Sequence, residues 1–376
     1  MSNDRIFLSP PDVSEREVEM AASAIRSGWV APLGPSLGQF EISIADLSGR
    51  NFAVGVNSGT AALHLSLLAL GIGNGDLVLC STLTFVATAN AVRYTGAVPV
   101  FIDVLPNTGN MSPHLLRAAI TDFMNQGKKI GAIVPVDFLG KVADYRTIIE
   151  IADEFDIPVV ADAAESLGAT RNKQPAGSFG CSAVFSFNGN KIATTSGGGM
   201  VVTDDEGIAE RVRHLATQAR EPGRHYEHIE MGYNYRLSNV LAAIGLAQLE
   251  RLPKMIEKRR AIRSEYRGLV AKYSEVEVFG EPSGEDNNWL TAITLRGLSA
   301  NVVERLGAYL EQQNIESRPM WKPLHLQPLY LSTKSYLDGT SEDLFARSLV
   351  LPSGSGMTDN QLERVLTSLQ QFFERL

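Results

Sequence analysis

Residues 130–162 read IGAIVPVDFLGKVADYRTIIEIADEFDIPVVAD. Ile130 to Val136 is a short apolar run. Tyr145 to Phe155 reads as a helix, and Ile157 to Ala161 is apolar again and closes on Asp162. Strand, helix and strand in that order predict a crossover unit, which joins parallel neighbours in one sheet. The same alternation extends both ways. Strands are expected at Phe52–Val56, Asp76–Cys80 and Val98–Val104, with helices at Thr60–Leu70, Ala87–Tyr94 and Pro113–Asn125. Downstream, Ala183–Phe187 and Met200–Thr203 add further strands. The reading is an α/β fold, a mostly parallel sheet with helices on both faces.

The pattern changes after residue 206. Helices are expected at Ile208–Gln218, Val240–Leu252 and Lys254–Tyr273, with Pro253 kinking or breaking the last two apart. A strand at Trp289–Leu295 and helices at Asn301–Gln313 and Asp359–Arg375 suit a small α+β C-terminal domain. The expected division is a large domain, 1–250, and a small one, 251–376. No repeat or Gly/Ser linker separates them, so the boundary is expected in a long helix. At 376 residues the chain exceeds one typical core, which agrees with that division.

Hydrophobic content of 44% and charged content of 20% describe an ordinary globular protein. A net charge of −8 and the lack of a basic block argue against nucleic-acid binding. The most basic stretch, Lys254 to Arg267, is interrupted by Glu257 and Glu265 and reads as a solvated helix face. Cys80 and Cys181 make no disulfide framework, and neither they nor His64, His114 and His214 have metal-ligand spacing. Met1 to Pro11 contains no apolar h-region of the length a secretion signal needs, and Ala61 to Leu70 is too short to cross a bilayer. The expectation is a cytoplasmic protein with no membrane partner.

Chemistry concentrates where strands end. In Ser186-Phe187-Asn188-Gly189-Asn190-Lys191 a lysine follows a buried strand. An amine held partly out of water loses its proton more readily and can form a Schiff base. Asp162 ends another apolar run, at the end of the sheet where α/β folds place ligands. An amine and a carboxylate able to pair a pyridinium nitrogen are the groups pyridoxal phosphate requires. The competing reading of Asp162 is a helix N-cap, because a helix-like run could begin at Ala163. Asn57-Ser58-Gly59-Thr60-Ala61-Ala62 joins a strand to a helix and suits a phosphate, although a plain cap is common there. Phe85 could stack on a flat ring or simply belong to the core. Gly197-Gly198-Gly199 permits close backbone approach. Gly232-Tyr233-Asn234-Tyr235-Arg236 is too polar and aromatic for a routine turn, and Trp321-Lys322-Pro323-Leu324-His325 lies in a Pro-rich loop.

Taken in order, with Gly28-Trp29-Val30 before them and Leu351-Pro352 after, these motifs resemble the DegT/DnrJ/EryC1/StrS family of pyridoxal-phosphate-dependent sugar aminotransferases. The likeness covers essentially the whole chain. Around Ser186–Lys191 and Arg318–Pro323 it is most similar to the branch acting on UDP-4-keto-6-deoxy-GlcNAc in bacillosamine-type pathways. The resemblance implies an aspartate-aminotransferase-like architecture and a homodimer with shared active sites. Lys191 would hold the cofactor covalently and carry the proton. Asp162 would bind the ring nitrogen, and Phe85 would stack on the ring. Ser58, Gly59, Thr60 and Ser186 would bind the phosphate, joined by the partner subunit's Asn234. Glu165 and Asn188 would lie beside the cofactor, where many relatives carry Gln and His. Trp29, Arg236, Trp321, Lys322 and His325 are the candidates for the nucleotide-sugar substrate, with L-glutamate as amino donor. A 3-keto or dTDP-linked sugar, or a cofactor-binding regulator without turnover, are the alternatives.

Overall fold

The expected alternation of strand and helix is present in the computed structural model, which describes residues 4–281, 283–298 and 300–376. The strands of the first half are β1 (Phe52–Val56), β2 (Leu77–Ser81), β3 (Val98–Ile102), β4 (Ile130–Val134) and β5 (Val160–Asp162). A small hairpin, β6 (Thr170–Arg171) and β7 (Gln174–Pro175), precedes β8 (Ser182–Ser186) and β9 (Gly199–Thr203). The helices are α1 (Glu15–Arg26), α2 (Pro35–Ser48), α3 (Gly59–Ala69), α4 (Ala87–Tyr94), α5 (Pro113–Asn125), α6 (Tyr145–Asp153) and α7 (Glu206–Ala216).

Strand β2 pairs in parallel with β3 and β4, and β5 with β8. Parallel bridges Ile133–Val159 and Val136–Asp162 tie β4 to β5. Strand β9 lies between β1 and β8, antiparallel to both. Successive side chains leave a strand on opposite faces. Accordingly Leu79, Val100 and Ile133 pack in one apolar core with α2, α5 and α6, while Val78, Cys80, Phe101 and Val134 pack in another with α3, α4 and α7. Helix α3 is buried along most of its length, as an all-round apolar helix must be.

The second half holds α8 (Asn239–Val270), β10 (Val276–Val278), β11 (Thr291–Leu295), α9 (Ala300–Gln312), β12 (Arg318–Pro319), β13 (Ser335–Tyr336), α10 (Thr340–Arg347), β14 (Ser348–Leu351) and α11 (Asp359–Phe373). Strands β10, β11, β14 and β12 form a separate antiparallel sheet. Strand β13 instead joins the edge of the large sheet beside β3. The N-terminal segment bridges the other way, from Ile6 to Ile315.

Pro253 does not end the helix. α8 is 32 residues long with Pro253 inside it. A proline costs about 3 kcal/mol in a helix interior through its missing donor and its ring. The flanking turns offset this by tertiary contacts. Leu252 and Met255 are buried, and Gln248 and Arg251 both donate to Glu17 of α1, at 2.7 and 3.0 Å. Helix α1 itself escaped the sequence reading, although Ser14 and Glu17 form a capping box at its start. None of the helices among the described residues is long and apolar enough to cross a membrane.

Candidate active site

The carboxyl ends of β1, β5 and β8 and the start of β9 meet at one edge of the large sheet. A cavity of about 280 Å³ opens there. Ser58 caps α3, accepting from the Ala61 N–H at 3.0 Å. The first-turn N–H groups of Gly59 and Thr60 have no carbonyl within the helix to bond. Ser186, at the end of β8, packs directly against Gly59, where a Cβ would come within 2.8 Å of the serine Cβ. A Cβ on Gly199 would lie 2.4 Å from the Ser58 carbonyl oxygen, so the glycine run does permit close approach. The helix start, Ser186 and the glycine turn thus form one wall rich in N–H and hydroxyl donors.

Asp162 is buried in the same cavity at the end of β5. Its Oδ2 accepts the Thr88 hydroxyl at 2.7 Å, and its Oδ1 accepts the Ala164 N–H at 3.3 Å. Burial pushes its carboxyl above the ordinary value; the Thr88 bond and the charge of Lys191 oppose that rise. No helix starts at Ala163, so the cap reading of Asp162 is set aside.

Lys191 follows β8 through a turn in which its N–H donates to the Asn188 carbonyl at 3.0 Å. Its Nζ lies 3.5 Å from Glu165 Oε1 and 4.0 Å from the centre of the Trp289 ring. Glu165 is buried and accepts the Leu139 N–H at 2.8 Å. Burial raises its carboxyl too, against the charge of Lys191. Behind these, Asp137 accepts the Ser166 hydroxyl at 2.6 Å, and burial pushes it up to about 7.

The donor set fits pyridoxal phosphate. It offers an amine for the aldehyde, a carboxylate for the ring nitrogen and a donor-rich wall for the phosphate. Phe85, exposed on one side, and Asn188 also line the cavity, as does Trp321. Lys322 lines a neighbouring cleft instead. Asn234 is exposed and outside the lining; its carbonyl accepts from Asn57 at 3.3 Å. Arg236 pairs with Glu41 at 2.7 Å, Trp29 is half-exposed beyond the cavity, and His325 is held by the Thr82 hydroxyl at 2.7 Å. Sequence reasoning missed Thr88 and Trp289. Thr84 and Thr88, one helical turn apart and 3.1 Å from each other, were a usable signal; nothing in the sequence joined Trp289 to Lys191.

Residues 11–370 match the DegT/DnrJ/EryC1/StrS aminotransferase family. EpsN of Bacillus subtilis (strain 168), provisionally named a pyridoxal phosphate-dependent aminotransferase, is 46% identical over 376 residues, covering 98% of this chain and 96% of its own length. GDP-perosamine synthase of Caulobacter vibrioides is 35% identical over 369 residues, 98% of each chain. The PLP-form structure of Spr1654 from Streptococcus pneumoniae, provisionally a sugar aminotransferase, superposes with a TM-score of 0.89 at 26% identity over 99% of both chains. The chain therefore belongs to the DegT/DnrJ/EryC1/StrS aminotransferase family and is a pyridoxal-phosphate-dependent aminotransferase.

Proposed function

We propose that the enzyme moves an amino group from L-glutamate to a nucleotide-linked 4-keto-6-deoxy sugar, UDP-2-acetamido-2,6-dideoxy-4-keto-hexose being the first choice. The observation carrying this reading is a second cleft, about 860 Å³, that shares Thr84, Phe85, Asn190 and Trp321 with the cofactor cavity. It is far larger than an amino-acid donor needs; Lys322 lines it, as does Arg318, whose guanidinium is paired at 2.9 Å with Glu316 of the same lining. Guanidinium and ammonium groups beside an apolar cleft suit a diphosphate joined to a base and a sugar. The relationship to GDP-perosamine synthase supports a nucleotide-linked acceptor.

When bound, pyridoxal phosphate supplies the carbonyl that takes up the amino group and the electron sink that lets a neighbouring C–H bond ionise. Asp162 would hold negative charge against the ring nitrogen, and Thr88 fixes the orientation of that carboxylate. Lys191 would hold the cofactor through its Nζ and, with that amine free, would carry the proton. Trp289 and Glu165 limit where its amine can swing. Ser58, Thr60, Ser186 and the first-turn N–H groups, Gly59 among them, would hold the phosphate. The exposure of Asn234 supports its service in a neighbouring subunit's site, in a homodimer with shared active sites.

The test is a panel of nucleotide keto sugars, with UDP, GDP and dTDP carriers and 3- or 4-keto groups, and product masses as readout. The reading expects amination of the UDP-linked 4-keto sugar with the highest kcat/KM. A higher value on a 3-keto or dTDP-linked sugar overturns the choice of acceptor.

A further inference from the structure

Among the described residues, Arg259 is the single arginine or lysine that is buried outright, at 1% exposure. No carboxylate of the described residues lies within ion-pair distance of it. Asp12, whose charge reaches it, is paired with Arg251 at 2.6 Å. An unpaired buried charge is costly, and burial pushes this guanidinium down to about 10. Its hydrogen bonds show what the charge holds. Nη1 donates to the carbonyls of Trp289 and, at 3.1 Å, Ser353. Nη2 donates to the Ser9 hydroxyl at 3.2 Å. These acceptors come from the loop before β11, the chain after β14 and the N-terminal segment.

Two of those residues meet again at one atom. The Ser9 hydroxyl donates to the Asn190 carbonyl at 3.0 Å, and Trp289 Nε1 donates to the same oxygen at 2.7 Å. That carbonyl belongs to the peptide unit that carries the Lys191 nitrogen. The Trp289 ring also lies under Lys191 Nζ. Residues 187–198 form neither helix nor strand, so no ladder of backbone bonds fixes this lysine. A peptide plane pinned by two donors has a fixed orientation, and with it the direction in which Lys191 leaves the chain. A hydroxyl that accepts from a guanidinium is also the better donor onward.

We propose that Arg259 is a positioning residue for Lys191, acting through Ser9 and Trp289 on the carbonyl of Asn190. This rests on the reading of Lys191 as the residue that bonds the cofactor. It gives the N-terminal segment, which already lines the cleft beside the cofactor cavity, a second role in setting the lysine.

Ser9→Ala and Arg259→Lys, singly and together, test it in the full-length protein. Ser9→Ala removes the Ser9 arm of the relay and leaves the Trp289 arm. Because Ser9 also lines the cleft given to the acceptor, the rates are read with L-glutamate and cofactor alone. The melting temperature of this variant should stay within about 3 °C of wild type, since a single hydrogen bond is a small part of the total. Two rates should fall about tenfold: kcat for the half-reaction with L-glutamate, its KM unchanged, and capture of pyridoxal phosphate by apoprotein at Lys191, read by borohydride trapping and peptide mapping. Arg259→Lys should lose at least as much, and the double variant no more than Arg259→Lys alone, because one relay carries both effects. Unchanged rates in Ser9→Ala, or additive losses in the double variant, overturn the proposal. A lowered melting temperature with normal rates reduces Arg259 to a structural staple. A borohydride label on another lysine overturns the site and this proposal together. Normal trapping with failure on every keto sugar overturns only the acceptor reading.

Discussion

Thr88 donates its hydroxyl proton to Asp162 over 2.7 Å, from the first turn of α4 to the end of β5. That bond favours the ionised carboxylate and works against burial, which favours the neutral acid. Thr88→Val should let the Asp162 carboxyl rise further, so protonation removes the useful charge at a higher pH. The acid limb of the kcat profile should move to higher pH, with about a tenfold loss at neutral pH. Asp162→Asn should fold and lose at least about 100-fold at pH values above the wild-type acid limb, with the deficit shrinking below it. An acid limb unmoved in Thr88→Val would contradict the role given to this bond.

Lys191→Ala should still bind pyridoxal phosphate, because the donor-rich wall proposed for the phosphate and Asp162 are intact, but without a covalent link. Borohydride reduction should label Lys191 in the wild type and no lysine in the variant. Transamination should fall by at least about 1,000-fold. A wild-type label on Lys173 or Lys322 would refute the assignment.

Much of this was legible in the sequence, for physical reasons. Strands of the large sheet are short, apolar and separated by helices, so the period of the pattern reveals them. Asp162 and Lys191 announce themselves as charges at the ends of apolar runs. Other parts depend on contacts between distant segments. Pro253 stays helical because Glu17, near the N-terminus, holds the turn before it. Trp289 reaches Lys191 from the second half of the chain, and Arg236 is engaged by Glu41. No local pattern encodes such pairings. Helices α1 and α2 were readable in principle, from the capping box at Ser14 and from Pro35 and Gly49 at the ends of α2.

Asp137 gives a pH-dependent stability. Its carboxyl rises from 3.8 to about 7 on burial. The folded protein therefore keeps a proton that the unfolded chain gives up. The contribution is fully present below pH 3.8 and is lost as pH climbs to about 7, at up to about 1.4 kcal/mol per pH unit. Asp137→Asn should remove that slope, so urea midpoints at pH 5 and pH 7.5 should differ less than in wild type. Equal slopes in the two proteins would contradict a protonated Asp137.

Asn234 is exposed in its own chain, free to serve the neighbour's phosphate as proposed. Lys191→Ala and Asn234→Asp subunits should each be nearly inactive alone. In a mixed dimer one site would hold both lesions and the other neither, so activity should recover towards half of that heterodimer's sites. Heterodimers demonstrated by mass that show no recovery would return Asn234 to its own subunit.

The most direct measurement is the visible spectrum of the holoenzyme through a single cycle. With L-glutamate alone the absorbance of the lysine-bound cofactor should disappear, and 2-oxoglutarate should appear in equal amount. Adding the UDP-linked 4-keto sugar should restore the absorbance and yield one equivalent of amino sugar. Bleaching that no nucleotide keto sugar reverses, or a spectrum indifferent to glutamate, would contradict the account.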